Sequence, residues 1–504
     1  MGSEILINRG PGETRVALLE DGALVEIYVE RDQDQGVVGN LYQGKVSRVL
    51  PGMQAAFLQI GLDRAAFLHA DDIALPGEGA DVDDLELEVG ERAPRADRPS
   101  IGQLLREGQE LLVQVAKAPL GTKGARVTNY VSLPGRYVVY MPTVPKIGVS
   151  RRIGDEAERE RLKKIVETHR QANEGGFIVR TVCAGLDEEI IARDMAFVRS
   201  LWAEIAGKAK GAAPGTLLYA DVDLVLRAAR DLFGDEVERV LIDSPTERDR
   251  IKALLEKSAP HLAARVQLYE GRAPLFEAHG LEQELERALS RTIELKSGGS
   301  IVIDEAEALT AIDVNTGSFV GSKDLEATLL KTNLEAALTV ARQVRLRNLG
   351  GIIIVDFIDL SSPENRVKVH TAFVEALTKD RAKTNALPIS EFGLVEMTRR
   401  RVRPSLGKTL TEACPYCEGR GRVRSRRTVC QDILREIEQQ ARTQPHGDVL
   451  VSAMPAVAAM LTTDDRGRIE ALEEKLGRPI VVEARGELHQ EVYEVCVRTK
   501  SVLP

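Results

Sequence analysis

The chain changes its hydrophobic rhythm several times, and each change marks a different kind of element. Near the start, EILINRG (4–10) and TRVALLEDGALVEIYVE (14–30) alternate apolar and polar residues with period two. That period puts every second side chain on one face of a strand. The Asp21-Gly22 step between two such runs predicts a hairpin, because both residue types tolerate the positive φ of a tight turn. The rhythm continues in NLYQGKVSRVL (40–50), AAFLQIGLDRAAFLHADDI (55–73), EGQELLVQVAKAP (107–119) and GARVTNYVSL (124–133). Short strands at this spacing predict a small closed barrel. Between them, ALPGEGADVDDLELEVGERAPRADRPS (74–100) is acidic and rich in Gly and Pro. It predicts a mobile surface insert.

Later the period lengthens. GDEAERERLKKIVETHRQAN (154–173) and DEEIIARDMAFVRSLWAEIAGKAKG (187–211) predict helices, the second stopped by Gly211 and Pro214. A strand-like run, GGFIVRTVCAG (175–185), separates them. Residues 226–290 alternate helix and strand. A third long helix, DLEATLLKTNLEAALTVARQVRLRNLGG (324–351), ends at a double glycine. It links ALTAIDVNTG (308–317) to GGIIIVDFIDL (350–360), and both predict buried strands that end in carboxylates. A helix between neighbouring strands is a crossover, which brings strand ends together. Asp313 and Asn315 share one strand face, with Ile312 and Val314 on the other. Asp356 closes the apolar run Ile352 to Val355. Ionised carboxylates at buried strand ends are costly unless paired or metal-bound. Two Asp and one Asn make a hard, oxygen-only donor set suited to Mg²⁺. An Asp at a strand end is also a common turn former or helix N-cap.

Composition narrows the choices. A chain of 504 residues has room for about three to five domains. The net charge of −9 argues against wholesale coating of nucleic acid and leaves local basic patches to bind it. Cysteines at 183, 414, 417, 430 and 496 are odd in number and sparse, which argues for a reducing compartment. MGSEILINRG has no apolar leader, and no run reaches the ~18 apolar residues of a membrane span. The expectation is a cytoplasmic protein. The seven histidines do not cluster, so histidine-based catalysis has no support.

Cys414-Pro-Tyr-Cys417 has two readings. In a redox protein such a pair opens a helix, whose N-terminus lowers the thiol pKa. Here Glu-Gly-Arg-Gly-Arg follows, a poor helix start that suits a zinc knuckle better. Zinc wants four ligands. Cys430 is a candidate third, and two chains each giving one Cys-x-x-Cys would complete a Cys₄ site and predict a zinc-linked dimer. Two unliganded loop thiols are the bland alternative. Arginines at 399, 400, 401 and 403, and at 420, 422, 424, 426 and 427, flank the knuckle. They form either a phosphate-contacting stripe or a salt-bridged surface.

The barrel segment resembles an S1 domain, an OB-type RNA-binding module, through Gly44-Lys-Val46, Gly61 and Phe67-Leu-His69. Phe57 and Phe67 either stack on bases or fill the barrel core, while Lys45, Arg48 and Lys123 would meet phosphates.

Taken in order, AIDVNTG, NLEAA, RQVRLRNLGG, IVDFIDL and CPYCEGRG resemble the ribonuclease E/G family from the N-terminus to the knuckle and beyond. The resemblance implies a multidomain α/β and α+β fold. Its parts would be an RNase H-like piece in two segments (1–35 and 226–290), an S1 barrel (36–129, with the acidic insert 74–100) and a 5′ sensor (130–225). A DNase I-like catalytic domain (291–403), a zinc link (404–425) and a small C-terminal domain (426–504) would follow. The family's catalytic residues fall on Asp313, Asn315 and Asp356, with Mg²⁺ on the two aspartates. Its zinc cysteines fall on Cys414 and Cys417. Its pocket for an RNA 5′-monophosphate falls on Gly135, Val139, Arg180 and Thr181. The implied activity is Mg²⁺-dependent hydrolysis of single-stranded, A/U-rich RNA, leaving 5′-phosphate and 3′-hydroxyl ends. The implied roles are rRNA 5′-end maturation and mRNA decay, by a homodimer or tetramer. The chain stops at 504 without a long Arg- and Pro-rich tail. That favours the G-type branch of the family over the catalytic part of an E-type enzyme. A non-catalytic S1-type RNA-binding scaffold is the contrasting expectation, and a thiol oxidoreductase using Cys414 and Cys417 is another.

Overall fold

The computed structural model describes residues 2–32, 36–75, 99–119, 123–172, 174–316, 325–401, 403–444 and 446–498, so most of the acidic insert 74–100 lies outside the described residues. The chain forms two compact units, Met1–Thr409 and Leu410–Pro504.

The first unit opens with an antiparallel meander of Ser3–Gly10, Glu13–Glu20 and Ala23–Arg31. Asp21 and Gly22 take φ of 51° and 77°, so the predicted hairpin turn is present. A distant segment completes the sheet. Val237–Ile242 runs parallel to the first strand, and Val266–Leu268 runs parallel to Val237–Ile242. Ile5, Ile7, Val16 and Val240 pack there against Val225, Ile251 and Leu255 of two helices.

A closed five-stranded barrel lies between these segments in sequence. Its strands run Leu41–Leu50, Ala55–Gln59, Ala66–His69, Arg126–Thr128 and Glu110–Lys117, and the last returns to the first. Gly44 faces the packed interior, where a Cβ would stand 3.2 Å from both Leu58 and Val113. A four-stranded sheet follows, ordered Ile147–Val149, Gly176–Val179, Val138–Met141, Leu133–Pro134. Helices Glu156–His169 and Glu188–Ala209 pack on it through Leu162, Val166, Met195 and Val198.

The last sheet of this unit has six strands, ordered Thr292–Glu294, Ser300–Glu305, Leu309–Asn315, Gly351–Asp356, Leu394–Arg399, Thr384–Ala386. Helices Leu325–Leu346 and Pro363–Leu377 pack on one face, joining Ala336, Val340, Val369 and Phe373 to Ile312, Val314, Ile353 and Val355. Two features differ from expectation. The carboxylate strands are not buried on both faces: Thr310, Ile312 and Val314 are buried, whereas Ala311, Asp313 and Asn315 are exposed. With both helices on one side, the aspartates stand on the open side and largely escape the desolvation cost of a buried strand end. The double glycine is also not the helix stop. The helix ends at Leu346, Asn348 takes the left-handed conformation at φ 49°, and Gly351 opens the next strand. Asn348 holds that position because its amide donates to the carbonyls of Arg403 and Pro404.

In the second unit Asp448–Ala453 pairs parallel with Ile480–Ala484 and antiparallel with Tyr493–Arg498. Helices Arg426–Thr443, Pro455–Thr462 and Arg466–Leu476 bury Val429, Ile433, Ile437 and Leu461 against Val449 and Val451. At this coarse level the fold is the mixed α/β, multidomain one expected. Among the described residues no helix is long and apolar enough to cross a membrane.

Candidate active site and anion pocket

Asp313 and Asp356 stand directly abreast on parallel neighbours, Leu309–Asn315 and Gly351–Asp356. Asn315 donates its Nδ2 hydrogen to Asp313 Oδ2 at 2.8 Å. Partial burial, then the charge of Asp313 and that of Asp359, push the Asp356 carboxyl above the usual range. Like charges gathered this way favour a bound proton or a bound cation. Among the described residues no group of three or more His, Cys, Asp or Glu converges on one point. Two carboxylates and an amide nonetheless suit Mg²⁺, which keeps several waters and takes one or two carboxylates beside phosphate oxygens.

The NLEAA motif acts as a clamp on this site. Asn333, fully buried, donates to Ile358 O at 2.7 Å and accepts from Ile358 N–H at 3.0 Å. It thereby fixes the turn that follows Asp356. Glu335 accepts from the N–H groups of Lys296 and Ser297 and fixes the turn before Ser300–Glu305. Ala336 and Ala337 are small enough for the helix to lie close on the sheet. None of these roles could be assigned from the sequence, although the motif itself stood out.

Val139, Arg180 and Thr181 line one cavity of about 1240 Å³, and Gly135 stands behind it, bonded to Arg180. Val139 stands opposite Ile178 on paired strands, and Arg180 follows directly on the end of the strand Gly176–Val179. Arg180 Nη1 donates to Gly135 O, Arg136 O and Asp231 Oδ1, at 2.9, 3.3 and 2.7 Å. Thr181 Oγ1 lies 3.0 Å from Ser150 Oγ. Gly135 is required by its surroundings, since a Cβ there would lie 2.5 Å from Asp194 Oδ2. The buried Asp194 carboxylate accepts from the N–H groups of Arg136, Tyr137 and Val138 and so shapes the turn. Burial acts to raise the Asp231 carboxyl, but Arg230 and Arg180 outweigh it and hold it below the usual range. Arg152, Arg381, Lys383 and Arg400 also line the cavity, giving it a cationic wall. The sequence reading missed Asp194, Asp231 and, apart from Arg400 in the arginine stripe, this wall. They come from distant segments with no shared motif.

On the barrel, Phe57 and Phe67 face each other across neighbouring strands, rings 6.0 Å apart and edge to face. Both are half-buried and stand outside the cluster of buried residues that fills the barrel. Arg48 pairs with Phe57 and Arg126 with Phe67, making one Arg-Phe-Phe-Arg row across the wall. Lys45, Arg48 and Lys123 are exposed.

At the knuckle, the N–H groups of Cys417 and Tyr416 and the Cys417 thiol pull the Cys414 thiol below its usual range. The Gly421 N–H donates to Cys417 Sγ at 3.3 Å. Glu418, Gly419 and Gly421 all take positive φ, which lets the chain fold back over the sulfurs. Sulfurs so supplied with N–H donors are suited to thiolate ligation of zinc. Cys430 is corrected as a candidate ligand: it is fully buried in the core of the second unit, and burial pushes its thiol up to about 11. The Cys pair opens no helix, since Arg426–Thr443 begins well after it. This weakens the redox reading. The arginine stripe also divides. Arg399 is buried against Asp380, Arg403 stacks on Tyr28 and donates to Ile27 O, and Arg420 and Arg424 pair with Glu491 and Asp432.

Two family models match this chain. The model of the ribonuclease E/G family matches residues 132–402, and that of the RNase E/G thioredoxin-like domain matches 413–499. Ribonuclease G of Escherichia coli K12 is 43% identical over 495 residues, covering 98% of this chain and 99% of that protein. Ribonuclease G of Haemophilus influenzae is 42% identical over the same length. Ribonuclease E of Escherichia coli K12 is 37% identical over 467 residues, which are 92% of this chain but 42% of that protein. The chain belongs to the ribonuclease E/G family.

Proposed function

We propose that this chain, a ribonuclease by family, is an endoribonuclease that hydrolyses single-stranded, A/U-rich RNA and leaves 5′-phosphate and 3′-hydroxyl ends. The observation that carries the reading is the Asp313–Asp356 pair, abreast on an open sheet face with Asn315 beside it. Asp313 and Asp356 would hold Mg²⁺, which when bound supplies Lewis acidity toward a phosphate and lowers the pKa of a bound water. Asn315 stays neutral, is tied to Asp313, and orients a water or a phosphate oxygen through its remaining amide groups. The sheet, with Asn333 behind it, keeps this set in place before substrate arrives.

The cavity lined by Val139, Arg180 and Thr181, with Gly135 bonded to Arg180, serves as the site for an RNA 5′-monophosphate, and its cationic wall supports that assignment. Phe57, Phe67 and Lys123 offer stacking faces and a charge to the strand. Segments 1–35 and 226–290 act as the RNase H-like piece, 36–129 as the S1 barrel, 130–225 as the 5′ sensor and 291–403 as the DNase I-like domain. Cys414 and Cys417 share Zn²⁺ with a second chain across the 404–425 link. That arrangement predicts a homodimer and permits a tetramer. Within a cytoplasmic setting the substrates are rRNA precursors and mRNA.

The test is cleavage of an end-labelled A/U-rich oligonucleotide with Mg²⁺ and then with EDTA. Mg²⁺-dependent internal cuts with 3′-hydroxyl ends are expected. Cyclic phosphate ends would overturn the hydrolytic mechanism, and intact but bound RNA would favour the scaffold reading. Arg180→Ala is expected to erase about tenfold or more of the preference for 5′-monophosphorylated over 5′-hydroxyl RNA, the scale of one charge-assisted contact. Internal cutting of circular RNA should be spared, and a preference equal to the parent's would remove the sensor assignment. Cys414→Ser should release zinc and halve the mass in sedimentation, and an unchanged mass counts against the shared site.

A further inference from the structure

Phe392 is 81% exposed, more than any other large apolar side chain among the described residues. An aromatic ring left in water is unfavourable, and here the chain also spends several hydrogen bonds on holding it there. Phe392 sits in the turn Ser390–Gly393. Gly393 N–H donates to Ser390 O at 3.1 Å, Ser390 N–H to Leu394 O at 2.8 Å, and Leu394 N–H to Ser390 Oγ at 3.2 Å. The turn is tied to the carboxylate strand as well, because Phe357 N–H donates to Gly393 O at 3.3 Å. Gly393 has φ of +79°, and a Cβ on it would stand 3.0 Å from Asp359 Oδ1, so the turn lies against the segment after Asp356. Leu394, two residues beyond Phe392, pairs with Asp356, and Asp356 pairs with Asp313. The half-exposed Ile352, on the same strand face as Asp356, continues the apolar surface along the open side of the sheet.

We infer that Phe392 is a stacking platform for a nucleobase of single-stranded RNA next to the scissile phosphodiester. The inference rests on the nuclease reading of Asp313 and Asp356 and adds the group that holds the strand there. Carboxylates repel an RNA backbone, so a site made of them gains affinity for the strand from a contact that carries no charge. Every base offers a π-face, and stacking on an aromatic ring tolerates sequence. A braced turn presents the ring with little ordering cost on binding. The contact sets position and affinity rather than chemistry, so its loss falls on KM more than on kcat.

The experiment uses the full chain in Mg²⁺ buffer and a short A/U-rich RNA with 2-aminopurine placed at successive positions. Binding is read on the Asp313→Asn background, where the RNA stays intact. Quenching at one position, lost in Phe392→Ala and restored in Phe392→Trp, is expected. In parallel, Phe392→Ala should raise KM about 10- to 100-fold, the scale of one base–aromatic stack, with kcat close to the parent's. Sedimentation mass should not change. Unaltered quenching and KM in Phe392→Ala overturn the proposal while leaving the nuclease reading in place. A change of mass also overturns it, by assigning the ring to contact with a second copy of the chain. A parent chain that cuts no RNA removes the nuclease reading, and the quenching assay still decides whether Phe392 stacks on the strand.

Discussion

Asp313→Asn is expected to lower RNA cleavage by about a thousandfold or more while the sheet stays folded. A cation bound at the pair is worth several kcal/mol of charge stabilisation in the transition state, and ~4 kcal/mol corresponds to that factor. The amide keeps the size of the carboxylate and a hydrogen-bond partner for Asn315, so packing is undisturbed. Asp313 is exposed on the strand's open side, away from Ile312 and Val314 in the core. A second readout separates charge from shape. Asp356 is held above the usual carboxylate range by partial burial and by Asp313 and Asp359. A carboxyl raised in the folded chain gives stability that is present below its unfolded pKa and is lost as pH rises through the folded value. Removing the Asp313 charge removes part of that loss. The variant should therefore be no less stable than the parent at neutral pH, and Asp356 should titrate lower when followed by carboxyl NMR. Cleavage within tenfold of the parent would sink the assignment of Asp313 to the metal. An upward shift of the Asp356 titration would contradict the charge geometry.

Much of this site could be read from residue spacing, and the reasons are local. The i, i+2 rule alone placed Asp313 and Asn315 together, and the long helix 324–351 argued that Asp356 lies on the next strand. Alternation of Ile312 and Val314 with polar neighbours could also have revealed the open face. The apolar run Ile352 to Val355 misled, because Ile352 and Ile354 lie toward the open side of the same strand. What was not legible is long-range. Asp231 and Arg381 reach one cavity from separate elements, Asp194 shapes the turn behind it, and nothing in their neighbourhoods marks them. The arginine cluster looked uniform in sequence, yet Arg399 and Arg403 spend their guanidinium groups on Asp380, Tyr28 and backbone carbonyls inside the fold. Composition cannot distinguish a charge that meets solvent from one that ties two sheets together. Phe392 is a similar case: a ring before a glycine reads as an ordinary turn until its exposure is known.

Asn333→Ala is expected to loosen the turn after Asp356 by about 2–4 kcal/mol, because the N–H and C=O of Ile358 both lose their partner and each group orphaned at this part-buried turn costs about 1–2 kcal/mol. The chain has several sheets, so a single melting transition is a poor gauge. Amide exchange in peptides covering residues 354–362 reads the change where it occurs, and it should speed up about 30- to 1000-fold. The chemical effect follows from geometry. Asp356 immediately precedes the loosened turn, so the Asp313–Asp356 register is held less firmly and the Mg²⁺ concentration for half-maximal cleavage should rise about tenfold, or ~1.4 kcal/mol. Thr332→Ala provides the control on the same helix. It also removes a buried polar group, but one that bonds only within the helix, to Thr328 O. That variant should change global stability modestly and leave the Mg²⁺ dependence alone. Equal Mg²⁺ dependence in both variants would mean that the strands by themselves fix Asp356. The buried asparagine would then serve the fold without serving the site.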